Sequence, residues 1–94
     1  MDRLTNWLES IGHDRVLLRT NEDEPYVTGR LVSFEDICGT DVPLVHTDDG
    51  RDLVCMGIVV PYSPALAEAL DRMPPAHQWA VLRDISLAIK IRNR

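Results

Sequence analysis

The sequence has no C-x-x-C pair, and its two cysteines, Cys38 and Cys55, stand far apart. Redox dithiols and zinc sites rest on closely paired ligands that pre-organise half the site. Both thiols are therefore expected as small, partly buried side chains of a reducing compartment. No apolar run approaches the roughly 20 residues that span a bilayer; the longest, Leu53 to Tyr62, has ten. Nor does a basic stretch followed by an apolar one open the chain, so the expectation is no signal peptide, no membrane and a cytoplasmic location. Catalytic signatures are missing too. Ser33, Ser63 and Ser86 have no G-x-S-x-G around them, and the glycines form neither G-x-x-x-x-G-K-[ST] nor G-x-G-x-x-G. His13 and His77 read as surface or cap residues beside helices. His46, Asp48 and Asp49, bracketed by the cysteines, match no zinc spacing. Glu22, Asp23 and Glu24 read as a solvated loop tip, because carboxylates do acid–base work only where burial or a partner splits their pKa values. The expectation is a protein that is not an enzyme, with no catalytic residue, no cofactor and no metal.

What is present is an ordinary globular composition. The chain has 94 residues, 45% hydrophobic and 27% charged, which argues against disorder and fits a single domain over residues 1–94. A chain this short buries only roughly 60–65% of its unfolded surface, so a deep active site would compete with the core for apolar residues. The net charge of −5 is uneven. Residues 76–94 carry Arg83, Lys90, Arg92 and Arg94 against Asp84, a balance of +3 that leaves −8 on the rest. An acidic body repels phosphates unless a basic patch overrides it. The Arg92-Asn93-Arg94 end is such a patch, although bases in a last helical turn also complement the macrodipole.

Leu4, Trp7, Leu8 and Ile11 fall at i, i+3, i+4 and i+7, one apolar face of a helix over residues 2–11, with Gly12 where a left-handed cap belongs. Arg15 to Thr20 reads as a first strand, Asn21 to Pro25 as a polar loop, and Tyr26 to Phe34 as a second strand interrupted by Gly29. Glu35 to Asp41 reads as a loop. Val42 to Thr47 is a weaker strand, with Pro43 pointing to an edge or a strand start. Asp48-Asp49-Gly50 is the strongest turn signal. Asp52 to Pro61 reads as a fourth strand, apolar on both sides with Gly57 midway. It is either central or bent so that its halves face different cores. Ser63-Pro64 starts a helix as N-cap and first residue. Leu66, Leu70 and Met73 give that helix its apolar side, and Pro74-Pro75 ends it. A last helix from Ala76 to Arg92 has Trp79, Leu82, Ile85 and Ile89 as its stripe, widened by Val81 and Ala88. Strands clustered in the middle with short connections exclude a βαβ sheet. The fold class is therefore α+β: an N-terminal helix, a bent antiparallel sheet of four to five strands curling into a small barrel over 15–62, and a helical extension over 64–92.

Tyr26-Val27-Thr28-Gly29-Arg30-Leu31-Val32-Ser33-Phe34-Glu35 resembles the first motif of the Sm-like family, roughly Y-x-G-x-L-x-x-F-[DE] after a short helix and a strand. The resemblance covers residues 2–62 and implies an SH3/Sm-like barrel and a ring. Two family features differ. Where Sm-like RNA binders carry a key asparagine, this chain reads Asp36-Ile37-Cys38-Gly39, and Met56 stands before Gly57 in place of an arginine. The resemblance thus implies the barrel without the residues that hold a base and its phosphate. Two functions are expected from these readings. The first is a non-enzymatic binding or assembly module whose partner is another protein or a second copy, with Trp79, Leu82, Arg83, Ile89 and Arg92 as its interface and a homo-oligomer as its state. The alternative is an Sm-like RNA-binding protein that uses Arg30, Arg51, Arg92 and Arg94.

Overall fold

In a computed structural model, residues 3–21 and 23–92 are described, with the side chains of 90–92 outside the description. Helix α1 (Arg3–Ile11) leads into strands β1 (Arg15–Arg19), β2 (Val27–Ile37), β3 (Thr40–Thr47), β4 (Asp52–Val54) and β5 (Ile58–Pro61), followed by helices α2 (Pro64–Asp71) and α3 (Pro75–Arg92). All five strands join one antiparallel sheet in the order β4-β3-β2-β1-β5. The α+β class and the helix–strands–helices order follow the sequence reading. The sheet is not closed, because no ladder joins β4 to β5 among the described residues.

Side-chain alternation sorts the sheet into two faces. Val16 and Leu18 of β1, Leu31 of β2, Val45 of β3 and Cys55 make an inner core, which Leu4, Trp7 and Phe34 extend. Leu17 and Val60 point the other way and meet Leu70 of α2 and Leu82 of α3 in a second core. Burying each of these large apolar side chains contributes roughly 1.5–3 kcal/mol, and that holds the helical pair on the β1–β5 half of the outer face. Helix α2 starts as its sequence demands, with the Ser63 hydroxyl accepting from the Leu66 N–H at 3.0 Å and proline at the first position. Gly12 ends α1, its N–H donating to the Leu8 carbonyl at 2.9 Å.

The stretch expected as one strand, Asp52 to Pro61, is two. β4 and β5 lie on opposite edges of the sheet, joined only by Cys55, Met56 and Gly57. From Val54 to Ile58 the chain reaches at most ~15 Å, whereas four strand spacings in a flat sheet take ~19 Å. The sheet must therefore curl to bring its edges together. Glycine is needed at the crossing: a Cβ on Gly57 would stand 2.1 Å from the Arg19 carbonyl oxygen. Gly29 is confined in the same way by β3, with a Cβ 2.5 Å from the His46 carbonyl oxygen.

The expected loop from Glu35 to Asp41 is instead the tip of a long hairpin. β2 and β3 stay paired out to Ile37 and Thr40 and turn through Cys38 and Gly39 alone. Both turn residues have positive φ, 53° and 84°, the primed geometry that Asn-Gly signals and Cys-Gly does not. Pro43 lies inside β3, opposite Phe34. Its carbonyl accepts from Cys55 N–H, so the missing N–H falls on the β4 side, just past the end of that ladder at Leu44–Val54. A register shift between Leu31 and Ser33 bulges β2 at Val32.

Arg19 ends β1 at 1% exposure. Its Nε donates to the Glu24 carbonyl at 2.8 Å and its Nη1 to the Pro75 carbonyl at 2.7 Å, with the guanidinium 5.7 Å from the Trp79 ring centre. One side chain thus ties β1 to the 20–26 loop and to the start of α3. Arg19→Met should lower the unfolding free energy in urea by about 2–4 kcal/mol, because it removes two charge-assisted hydrogen bonds that tie three parts of the chain together; a loss below about 1 kcal/mol would show that the guanidinium does not hold these parts together. Cys38→Asn should raise the same quantity by roughly 0.5–1 kcal/mol by relieving the left-handed cysteine, and a destabilised variant would contradict the turn geometry.

Candidate functional site

An open groove of about 470 Å³ lies where the start of β2 meets the β3–β4 turn and the end of α2. Tyr26, Thr28, Thr47, Asp48, Asp49 and Asp71 line it. Three carboxylates in one groove invite a catalytic or metal reading, yet each is already engaged. Asp48 accepts two bonds from the Arg15 guanidinium, at 2.7 and 2.9 Å, and a third from the Thr28 hydroxyl. Arg15 first and Thr28 second hold its carboxyl well below the usual range. Asp49 is lowered in the same way by Arg51 and Thr47. Asp71 accepts from the Tyr26 hydroxyl at 2.6 Å. Asp48 and Asp49 are thus shifted opposite to a carboxyl raised for proton transfer. Among the described residues no group of three His, Cys, Asp or Glu side chains is placed to hold a metal ion. The groove is a set of struts that pin the β3–β4 turn to β1 and α2 to β2.

The other unusual surface is the outer face of the sheet beyond the reach of the helices. Leu53 and Val45 face the inner core, so Val54 and its cross-strand partner Leu44 face outward. Leu44 is next paired with Ser33, Val42 with Glu35, and Thr40 with Ile37. The outer face of β2–β4 therefore presents Val54 at 42% exposure and Ile37 at 37% exposure, with Leu44 half-buried and Val42 buried between them and Met56, at 73%, just after β4. Residues 33–44 contain Glu35, Asp36 and Asp41 and no base; Arg3 of α1 stands 3.9 Å from Asp41. The edges themselves offer little. β4 has three residues and β5 ends in Pro61, the short and proline-tipped forms that discourage strand addition.

Of the α3 residues expected at an interface, Leu82 is fully buried in the outer core, where it secures α3 to the sheet. Trp79 is half-buried and stacks with Arg19. Arg83 is exposed and Ile89 half-buried, while the Arg92 side chain and Arg94 lie outside the described residues. Of the expected RNA-binding residues, Arg30 is exposed and 3.9 Å from Asp14, and Arg51 is held by both oxygens of Asp49. Cys38 is exposed and Cys55 buried, and burial pushes the Cys55 thiol up. The sequence reading missed Ile37, Leu44 and Val54 as a surface because Ile37 was assigned to a loop and Val54 to a strand buried on both faces. It missed Leu87, exposed at 50%, because Leu87 lies off the helix's buried stripe. Comparison of the chain with protein-family models, with curated proteins and with solved structures finds no match. No helix among the described residues is long and apolar enough to cross a membrane.

The Tyr26–Asp71 strut has a pH signature. The hydrogen bond to Asp71, with burial second, pushes the Tyr26 hydroxyl from 10.0 up to about 12. A pKa raised on folding contributes stability that is complete below the unfolded value and lost as pH rises through the folded one. The stability advantage of the wild-type chain over Tyr26→Phe should therefore hold below pH 10 and shrink between pH 10 and about 12. Urea midpoints of the two proteins across that range provide the check, and a constant difference would disprove the strut.

Proposed function

We propose that the chain is a non-enzymatic assembly module whose contact surface is the outer face of β2–β4. One observation carries this reading: α2 and α3 cover the outer face at β1 and β5, while on the other half Val54 and Ile37 are exposed and Leu44 is only half-buried, around a buried Val42. A sheet face exposing adjacent aliphatic side chains gains from burial against a partner. The sheet on which it sits is read as a small barrel of the SH3/Sm type. The strand order β4-β3-β2-β1-β5, the α1 that precedes it and the three-residue crossing at Gly57 support that reading. The engaged carboxylates of the groove support a role outside catalysis. The alternative, RNA binding of the Sm-like kind, has less behind it, since Arg51 is neutralised by Asp49 and Arg30 stands beside Asp14.

Sedimentation velocity of the full chain over a range of concentrations tests the reading. The wild-type chain should associate, and Val54→Asp, which places a charge beside Leu44 on the face, should weaken association at least about tenfold while leaving the circular dichroism spectrum unchanged. Association untouched by Val54→Asp, or a chain that stays monomeric up to about 1 mM, would overturn it.

A further inference from the structure

We infer that the occupant of this face is the distal part of α3 from a second copy of the chain, in a two-fold dimer where each copy gives its helix and receives the other's. The inference rests on the assembly reading above and names its partner. Three observations carry it. First, α3 has 18 residues, about 27 Å of helix, but among the described side chains the large ones it gives the outer core are Val81, Leu82 and Ile85. Second, four residues apart on another side of α3 stand Arg83 and Leu87, both exposed. Residues at that spacing share a helix face, so α3 carries an apolar side chain and a base on a side its own sheet does not use.

The third observation is charge. Residues 76–94 have a balance of +3, whereas the 33–44 hairpin holds Glu35, Asp36 and Asp41 without a base. Glu35 lies in the row next to Leu44 on the outer face. A helix with Leu87 over Leu44 and Val54 would bring Arg83 to this acidic hairpin. The chain itself shows the packing mode, since its own α3 lies on the β5 side of the same outer face. One helix end on three side chains is small beside the roughly 800 Å² per partner of a stable interface. Two-fold closure doubles it, because an isologous contact repeats every pair.

A charge exchange between full-length copies tests this. Glu35→Lys and Arg83→Glu, each alone, should weaken self-association about tenfold, since like charges then meet in both halves of the dimer. Mixed one to one, the two variants should associate with wild-type affinity: one half of the mixed dimer is then the native Arg83–Glu35 pair and the other its reversal. The wild-type dimer should also weaken about tenfold from 50 to 500 mM salt, as screening predicts for exposed pairs. Melting temperatures of the single variants, read by circular dichroism, establish that both are folded. Failure of the mixture to associate better than either variant alone overturns the α3 partner. If Val54→Asp still abolishes association in that case, the sheet face remains the contact surface and only its occupant is wrong. If Val54→Asp has no effect, both readings fall.

Discussion

The fold depends on β1 being buried on both faces. Val16, Leu17, Leu18 and Arg19 run without an exposed position, so one strand belongs to two cores at once. Val16 and Leu18 fix the inside of the curled sheet; Leu17 fixes the seat of α2 and α3. A domain of this size has few large apolar side chains, and sharing a strand lets two small cores act as one cooperative unit. Arg19 extends the arrangement where the apolar pattern stops. Its guanidinium, with the Trp79 ring nearby, reaches the carbonyls of Glu24 and Pro75. A flexible ammonium could not span both carbonyls as a planar fork does.

Much of this was legible in the residues. The Ser63-Pro64 helix start, the Gly12 cap and the Asp48-Asp49-Gly50 turn carry chemistry specific to their geometry, and the structure has each in place. The elements that were misjudged lack such local signals. Cys38-Gly39 makes a two-residue turn with a residue that rarely adopts positive φ, so the hairpin was shortened by three residues on β2 and two on β3. Gly57 left open a bend in Asp52–Pro61, but the division into two edge strands is a tertiary effect, since Gly57 must pass against the backbone of β1. The candidate surface inherited both errors. With Ile37 in a loop and Val54 in a doubly buried strand, no row of apolar residues on one face could be seen.

The groove and the sheet face show how charge separates support from contact. Asp48 and Asp49 are lowered because each is paired with an arginine and a threonine hydroxyl, and such carboxylates act as anchors. The acids of the 33–44 hairpin are held more loosely. Asp36 accepts a backbone N–H from Gly39, Glu35 a hydroxyl from Ser33, and Asp41 faces Arg3 across 3.9 Å. Exposed interactions of this kind contribute little to stability, so these acids are not fixed as anchors in the way that Asp48 and Asp49 are.

The distribution of coverage then follows from the connectivity. After β5 the chain stands at one edge of the sheet, and Pro64 starts α2 only three residues after Pro61. A helical pair launched from that edge packs on the strands beside it, β5 and β1, and the bulged hairpin of β2 and β3 extends away from it. Because the helices follow the edge strand so closely, their apolar core takes in no residue of β3 or β4 among the described residues. The same short connection explains why Leu87 and Arg83 lie on a side of α3 that its own sheet does not use: the residues that anchor the helix, Val81, Leu82 and Ile85, are placed by the start of α3 at Pro75 and by its packing against β5.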